Sequence, residues 1–333
     1  MDQMHLRRME AADRSEVAEL ICVSMNYGFL ERGLPARFSG GPESADVFFQ
    51  VYEALDPGCG VVAVNTHSGR LMGSCFFHPR PTHVSVGIMN VHPNYFRQGV
   101  ARALLSHIID YADGERKPLR LVSSAMNLDS FSLYTRAGFV PCRTYQDVFV
   151  EVPEEGLGRQ VPGAERVREA TADDVAAIGQ LEQELVGIRR EKDFQYCIEN
   201  RDGFWHASVY EEERGRLEGF MLSSAHPGCN MIGPGLARTE EQAAALLLAE
   251  LDRHRGRRPV MLIPVDCGGL VRQVYAWGGR NCEMHLSQIR AATGILPVCP
   301  SQHWRDASAT GPAAGATGPP GGVHMPTFLP ETG

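Results

Sequence analysis

Arg97, Gln98 and Gly99, with the small Ala101 two residues on, stand where an apolar run gives way to a helical pattern. Residues of these types at this spacing suit an anion. The first N–H groups of a helix have no partner within it and point out from its N-terminus. Gly99 lets a phosphate come close to the backbone, and Arg97 adds positive charge. The lysine of a P-loop is missing, so the pattern does not suit a nucleoside triphosphate.

The elements around these residues can be read from periodicity. Val91 to Leu105 runs as the end of an apolar strand, a short turn and the start of an amphipathic helix. Ala103, Leu104, Ile108 and Tyr111 recur at helical spacing. A charged turn over 113–118 and an apolar strand over 119–125 follow. Next comes Asn127-Leu-Asp-Ser-Phe-Ser-Leu-Tyr134-Thr-Arg-Ala-Gly138-Phe139, an Asn before a short helix that ends in Tyr-x-x-x-Gly-Phe.

In order and spacing this combination resembles the GNAT acetyltransferase superfamily. Its pyrophosphate-loop pattern, Gln/Arg-x-x-Gly-x-Gly/Ala, is met by Phe96-Arg97-Gln98-Gly99-Val100-Ala101 at the Gly and the Ala. Phe96 replaces the leading Gln/Arg, and Arg97 comes one place late. The resemblance implies acetyl-CoA as co-substrate, no metal, and direct transfer of the acetyl group to an amine. Arg97, Gln98, Gly99, Val100 and Ala101 are then the pyrophosphate loop. Met89, Asn90 and Val91 are the strand end that pairs with the pantetheine arm and polarises the thioester carbonyl. Asn127 is the side-chain contact to that arm, and Tyr134 is the general acid that protonates the departing thiolate.

A base for the amine is not legible. The run 82–91 contains no Asp or Glu, and His83 and His92 are the titratable residues in or next to it. A water chain ending on backbone carbonyls is the alternative. Tyr27 and Glu31, after the first helix, lie where the family gathers acceptor contacts.

The plan repeats weakly. Residues 6–20 parallel 167–181, each a short strand, an Asp-bearing cap and an apolar-periodic helix. Gly69-Arg-Leu-Met-Gly parallels Gly215-Arg-Leu-Glu-Gly, each after a candidate strand and hairpin turn. The fold class expected is α/β, an α+β mixed-sheet arrangement of two tandem GNAT-like domains, each a twisted mixed β-sheet flanked by helices. A catalytic domain over 1–152, a linker over 153–164, a degenerate domain over 165–292 and a low-complexity tail over 293–333 follow from composition. In the second copy Met231-Ile-Gly-Pro-Gly-Leu-Ala-Arg-Thr-Glu-Glu stands where the phosphate loop belongs. Pro234 removes a donor there, and Glu240 and Glu241 oppose an anion. Tyr275 is expected as a core aromatic, since Gly279 stands in the place of the signature Phe.

With 333 residues, 43% of them hydrophobic, the chain can bury two cores. A net charge of −8 argues against nucleic acid. No apolar run nears the ~20 residues that span a bilayer, and the N-terminus lacks an apolar signal core. Nine cysteines without a C-x-x-C suggest neither a zinc site nor a disulfide framework, so a cytoplasmic location is expected. The terminal Leu-Pro-Glu-Thr-Gly resembles a sortase signal without its anchor and is read as a tag or coincidence. The expected function is an N-acetyltransferase for a small-molecule amine, acting as a monomer with an intrachain pseudo-dimer. A protein N-acetyltransferase and a non-catalytic acyl-CoA-binding regulator are the alternatives.

Overall fold

The computed structural model describes residues 4–212, 215–292 and 322–327. The terminal Leu-Pro-Glu-Thr-Gly and nearly all of the low-complexity run lie outside them. The chain forms two compact units, the first built on residues up to Leu121 with His226–Cys229, the second on Val122–Ala225 with Asn230–Thr327.

In the first unit β1 (Met4–Arg8), β2 (Gly60–Asn65), β3 (Leu71–Pro79) and β4 (Val84–Val91) form an antiparallel run, and the start of β5 (Leu119–Ser124) joins β4 in parallel. α1 (Arg14–Glu31), α2 (Pro42–Leu55) and α3 (Val100–Gly114) pack on this sheet. Neighbouring residues of β3 show how. Phe76 meets Tyr52 of α2 at 5.0 Å between ring centroids, while Phe77 meets Tyr111 of α3 at 4.8 Å. Side chains alternate along a strand, so α2 and α3 cover opposite faces. α3 buries the stripe Val100, Leu104, Leu105, Ile108 and Ala112. Gly73 of β3 lets its first turn come close, because a Cβ there would stand 2.8 Å from both Asn90 O and Val100 Cγ1. That approach sets the N-terminus of α3 against the end of β4.

β5 carries the chain into the second unit, which holds α4 (Leu128–Arg136), β6 (Val140–Phe149), β7 (Val167–Glu169), α5 (Val175–Val186), α6 (Glu191–Glu199), β8 (Trp205–Glu211), β9 (Leu217–His226), β10 (Cys229–Ala237), α7 (Glu240–Asp252), β11 (Val260–Pro264), α8 (Gly268–Ala276), β12 (Arg280–Arg290) and β13 (Val323–Met325). Its strands run in the order β12-β6-β11-β10-β9-β8-β7. The sequence copies therefore exchange their last strands. β6, which follows α4, lies between β12 and β11, while β12 of the second copy lies beside the end of β5. The bonds repeat across the exchange: Ala125 N–H donates to Met284 O at 2.8 Å, and Val265 N–H to Thr144 O at 3.1 Å. Tyr145 of β6 pairs with His285 of β12, its own counterpart in the repeat.

The second core gathers Leu246, Leu247 and Leu251 of α7, Met261 and Ile263 of β11, and Val323 and Met325 of β13. Residues 323–325 of the tail are thus strand, and Val323 and Met325 are core. Within the second unit Glu250 is fully buried and accepts from Ser208 Oγ at 2.5 Å and Ser223 Oγ at 2.6 Å. Burial pushes its carboxyl up to about 7 against the pull of those two hydroxyls. Among the described residues no helix is long and apolar enough to cross a membrane.

Candidate functional site

The loop between β4 and α3 is held from within. His92 Nδ1 accepts from Asn94 N–H at 3.2 Å, Pro93–Tyr95 forms one turn of 3-10 helix, and Gln98 Nε2 donates to Asn94 O at 3.0 Å. Arg97 and Gly99 both take the left-handed conformation, with φ of 63° and 83°. The first backbone bond of α3 joins Ala103 N–H to Gly99 O at 3.0 Å. The N–H groups of Val100, Ala101 and Arg102 precede it, so they lack helical acceptors. Left-handed residues beside such donors form a concave nest for an anion. At Gly99 a Cβ would meet only Arg102 Nη2, at 3.6 Å, so the concavity is open. Arg97 and Gln98 are exposed, and Val100 is buried as the anchor of the loop. The Gln98 side chain braces the loop, and Gln98 N–H is taken by Tyr95 O at 3.4 Å. Phe96 is exposed and rests its ring edge against Tyr27 at 5.5 Å.

Met89, Asn90 and Val91 pair with Cys75, Ser74 and Gly73 of β3. On the other side β4 pairs with β5 only through Val84 with Leu119 and Ser85 with Arg120. Beyond these two rungs the strands part, and among the described residues no strand fills the edge at 89–91. Asn90 is buried, with Oδ1 accepting from Ser24 Oγ at 2.7 Å. The sequence-named histidines are engaged: His83 is buried with Nδ1 3.0 Å from Thr82 Oγ1, and His92 caps its own turn. Tyr27 and Glu31 lie inside α1 and bond each other at 2.7 Å.

In the second unit Asn127 Oδ1 accepts from Ser130 N–H at 3.1 Å, so this side chain caps α4. Tyr134, in the last turn of α4, is buried with its ring edge on Phe139 at 5.7 Å. Three residues that sequence reasoning missed lie at the end of β5. Glu283 of β12 accepts from Ser124 Oγ. Asp147 of β6 stands directly opposite Glu283, and its Oδ1 is 2.7 Å from His285 Nδ1. One donor atom from each of Asp147, Glu283 and His285 falls within 4.8 Å of the others. Burial first, then the neighbouring Glu283 charge, raises the Asp147 carboxyl above its ordinary value, while His285 pulls it down. The only local trace of the cluster in sequence is Glu283-x-His285, two titratable residues on one face of a strand.

The second copy lacks the loop. Its segment with Gly233, Pro234 and Gly235 lies inside β10, and only Arg238 and Thr239 separate β10 from α7. The start of α7 is closed by a capping box, with Gln242 N–H on Thr239 Oγ1 at 3.2 Å and Thr239 N–H on Gln242 Oε1 at 3.1 Å. β10 and β11 also part after two parallel rungs, Met231 with Val260 and Ile232 with Met261. There β13 fills the gap, pairing with Gly235, Leu236 and Ala237 of β10. By the bonds that follow them, His92 N–H to Met72 O and Arg238 N–H to Glu218 O, these correspond to Met89, Asn90 and Val91 of β4. Val323, His324 and Met325 are buried, and a Cβ on Gly322 would collide with Ala237 O. Tyr275 is exposed, not core, and donates to Gln146 Oε1 at 2.9 Å. The helix position of Tyr134 belongs here to Val274: Phe139 N–H bonds Tyr134 O and Gly279 N–H bonds Val274 O, each at 3.0 Å. Cavities of about 270 and 400 Å³ flank α7; the second is lined in part by Thr239, Glu241 and Gln242, and neither is lined by a motif residue of the first copy.

Comparison with known proteins bears on the family and the fold. The profile of the acetyltransferase (GNAT) family matches residues 29–139, and a second acetyltransferase (GNAT) domain profile matches 178–281. The UPF0157 protein YqkA of Bacillus subtilis (strain 168) is 34% identical over 77 residues, a stretch that spans 23% of this chain and 22% of that protein. A putative acetyltransferase from Pyrococcus horikoshii superposes with a TM-score of 0.68 at 16% identity, over 88% of this chain and 91% of the other. A GCN5-related N-acetyltransferase from Sphaerobacter thermophilus gives 0.61 at 18% identity, over 90% and 99%. A tandem GNAT protein from the clavulanic acid biosynthesis pathway gives 0.57 at 15% identity, over 88% and 100%.

Proposed function

Since the chain belongs to the GNAT acetyltransferase family, as two such domains in tandem, we propose that its first copy transfers an acetyl group from acetyl-CoA to the primary amine of a small molecule. The observation that carries this reading is the pairing of an open nest with an open strand edge in the first copy, where the second has a capped helix and an edge filled by β13. The backbone donors of Val100 and Ala101, helped by Arg97, receive the pyrophosphate. Gln98 and Asn127 serve through the frame, one bracing the loop and the other capping α4.

The unpaired edge at Met89, Asn90 and Val91 hydrogen-bonds the pantetheine arm as a further strand would. Its N–H groups polarise the thioester carbonyl where charge develops. Tyr134 gives its proton to the sulfur as the C–S bond breaks. The exchange of β6 and β12 supplies inside one chain the strand contacts that a pair of chains would share, which supports a monomer. The test is CoA thiol release from acetyl-CoA against a panel of amino acids, polyamines and amino sugars. Release that depends on one of these amines supports the reading. Acetyl-CoA binding with no amine-dependent release supports the regulator.

A further inference from the structure

An alkyl amine is protonated at neutral pH and must lose a proton before it attacks a thioester. β4 reads Val-Ser-Val-Gly-Ile-Met-Asn-Val and brings neither a carboxylate nor an imidazole. The neighbouring strand brings an imidazole. His78 of β3 stands directly opposite Ser85 of β4, so the two side chains share a face. Its ring lies 4.5 Å from that of Tyr52, on the side that α2 covers. Asp56, the residue that ends α2, meets His78 Nδ1 with Oδ2 at 2.7 Å and Arg80 Nη1 with Oδ1 at 2.9 Å. All three side chains are buried. Burial alone would raise the Asp56 carboxyl, but the bonds from His78 and Arg80 hold it well below its ordinary value. A carboxylate only accepts, so the proton of the His78 bond sits on Nδ1. In the neutral ring the basic lone pair is then on Nε2. That atom is aimed at the point where β4 opens. A Cβ on Gly87 would stand 2.8 Å from Nε2, so glycine is what leaves it room. Gly87 comes two residues after Ser85, the last rung with β5, and two before Met89. The register slips at the same place: Met89 pairs with Cys75 and Val86 with Phe77, three steps of β4 against two of β3. This is a bulge at Gly87 and Ile88. Two residues of strand span about 7 Å, a gap that an amine nitrogen and one water fill. Unmet polar atoms line the same face. Ser74 lies on the His78 side of β3 and pairs with Asn90. Ser74 Oγ, Ser85 Oγ and Asn90 Nδ2 are buried, and among the described residues nothing bonds these atoms. Buried groups of this kind are met by ordered water or by a ligand.

We propose that His78, oriented by Asp56, is the general base for the amine acetylated by the first copy. This rests on the acetyltransfer reading given above, and every residue it uses lies in the first unit. His78 Nε2 takes a proton from the ammonium through one water in the polar row. The freed nitrogen forms the C–N bond as the C–S bond breaks. The sulfur leaves as a thiolate and ends as a thiol with the second proton that nitrogen sheds, while His78 returns its own proton to solvent. Asp56 is a positioning residue, and Arg80 holds its second oxygen. Among the described residues Asp56, Arg80 and Tyr52 face the His78 ring or its partner, and Tyr111 of α3 feels the Asp56 charge from across the sheet.

The test compares the full-length chain with its H78N variant. The asparagine amide keeps a donor for Asp56 and carries no base, and H78Q serves in its place if H78N does not fold. Acetyl-CoA affinity is measured first and is expected to be unchanged. Turnover at saturating amine is then followed with the best alkyl amine of the panel and with methoxyamine, which is unprotonated at neutral pH. At pH 7 H78N is expected to turn over the alkyl amine about 100-fold or more slowly. The deficit shrinks at higher pH as solvent deprotonates the amine, while methoxyamine stays within about threefold of the original chain. Equal turnover of the alkyl amine by H78N overturns the proposal. So does an equal loss with both amines at every pH, which is the mark of a structural role. The original chain gives a second readout that needs no variant: kcat for the alkyl amine falls as pH drops below neutral, and kcat for methoxyamine holds. A flat profile for the alkyl amine overturns the proposal. No transfer to any amine by the original chain overturns the acetyltransfer reading, and this proposal with it.

Discussion

Gly99→Asp separates folding from anion binding. Gly99 has φ 83° and ψ 5°, and after glycine, Asn and Asp accept this region best. The strain costs about 1 kcal/mol. A negative charge beside the N-terminus of α3 returns about 0.3–1 kcal/mol through the helix dipole. The added Cβ meets only Arg102 Nη2, at 3.6 Å, so no packing is lost. Net stability should change by less than about 1 kcal/mol. For a pyrophosphate the same charge stands in the nest itself. At about 4 Å each phosphate charge is repelled by about 1 kcal/mol in water and about 4 kcal/mol at the effective dielectric of a protein surface. Two phosphates give at least about 2 kcal/mol, or about a 30-fold rise in the acetyl-CoA Kd. Urea unfolding and calorimetric titration measure the two quantities separately. A variant with unchanged stability and a Kd within about threefold of the original would refute the placement of the anion at this helix start.

Three further outcomes follow from single side chains. The Glu250 carboxyl titrates at about 7 in the folded chain against 4.5 unfolded, so between these pH values unfolding releases a proton. Its contribution, about 3 kcal/mol, is fully present below pH 4.5 and gone above about pH 7, and urea unfolding should show E250Q free of that pH dependence. Parallel curves for the two proteins would contradict this. Y134F should lower the acetylation rate by about 100-fold with acetyl-CoA affinity intact, and a full rate across pH would remove Tyr134 as the acid. M325D places a charge in a fully buried position of β13 and should cost several kcal/mol in urea unfolding, whereas unchanged stability would mean β13 is not part of the core.

What the sequence revealed was local. The Arg97-Gln98-Gly99 turn, the stripe along α3 and the run from Asn127 to Phe139 each lie within one or two elements, so composition and period suffice. The exchange of β6 and β12 was not legible. Pairing β12 with either β5 or β11 satisfies the same alternation, and only tertiary contacts choose. Gly233-Pro234-Gly235 carries turn chemistry, yet β13 and β11 hold it within a strand. The tail is poor in apolar residues, and Val323-x-Met325 is too short a pattern to announce a strand. Tyr275 was misplaced by its helical phase, one residue past the position that Val274 fills. Glu283 and His285 gain their meaning only from Ser124 and Asp147, far away in sequence.

Calorimetric titration of the full chain with acetyl-CoA, read for stoichiometry, tests the central claim most directly. One site per chain, weakened at least about 30-fold in Gly99→Asp, is the predicted result. Two sites would mean that β13 does not close the second copy, and no binding at millimolar ligand would contradict the account outright.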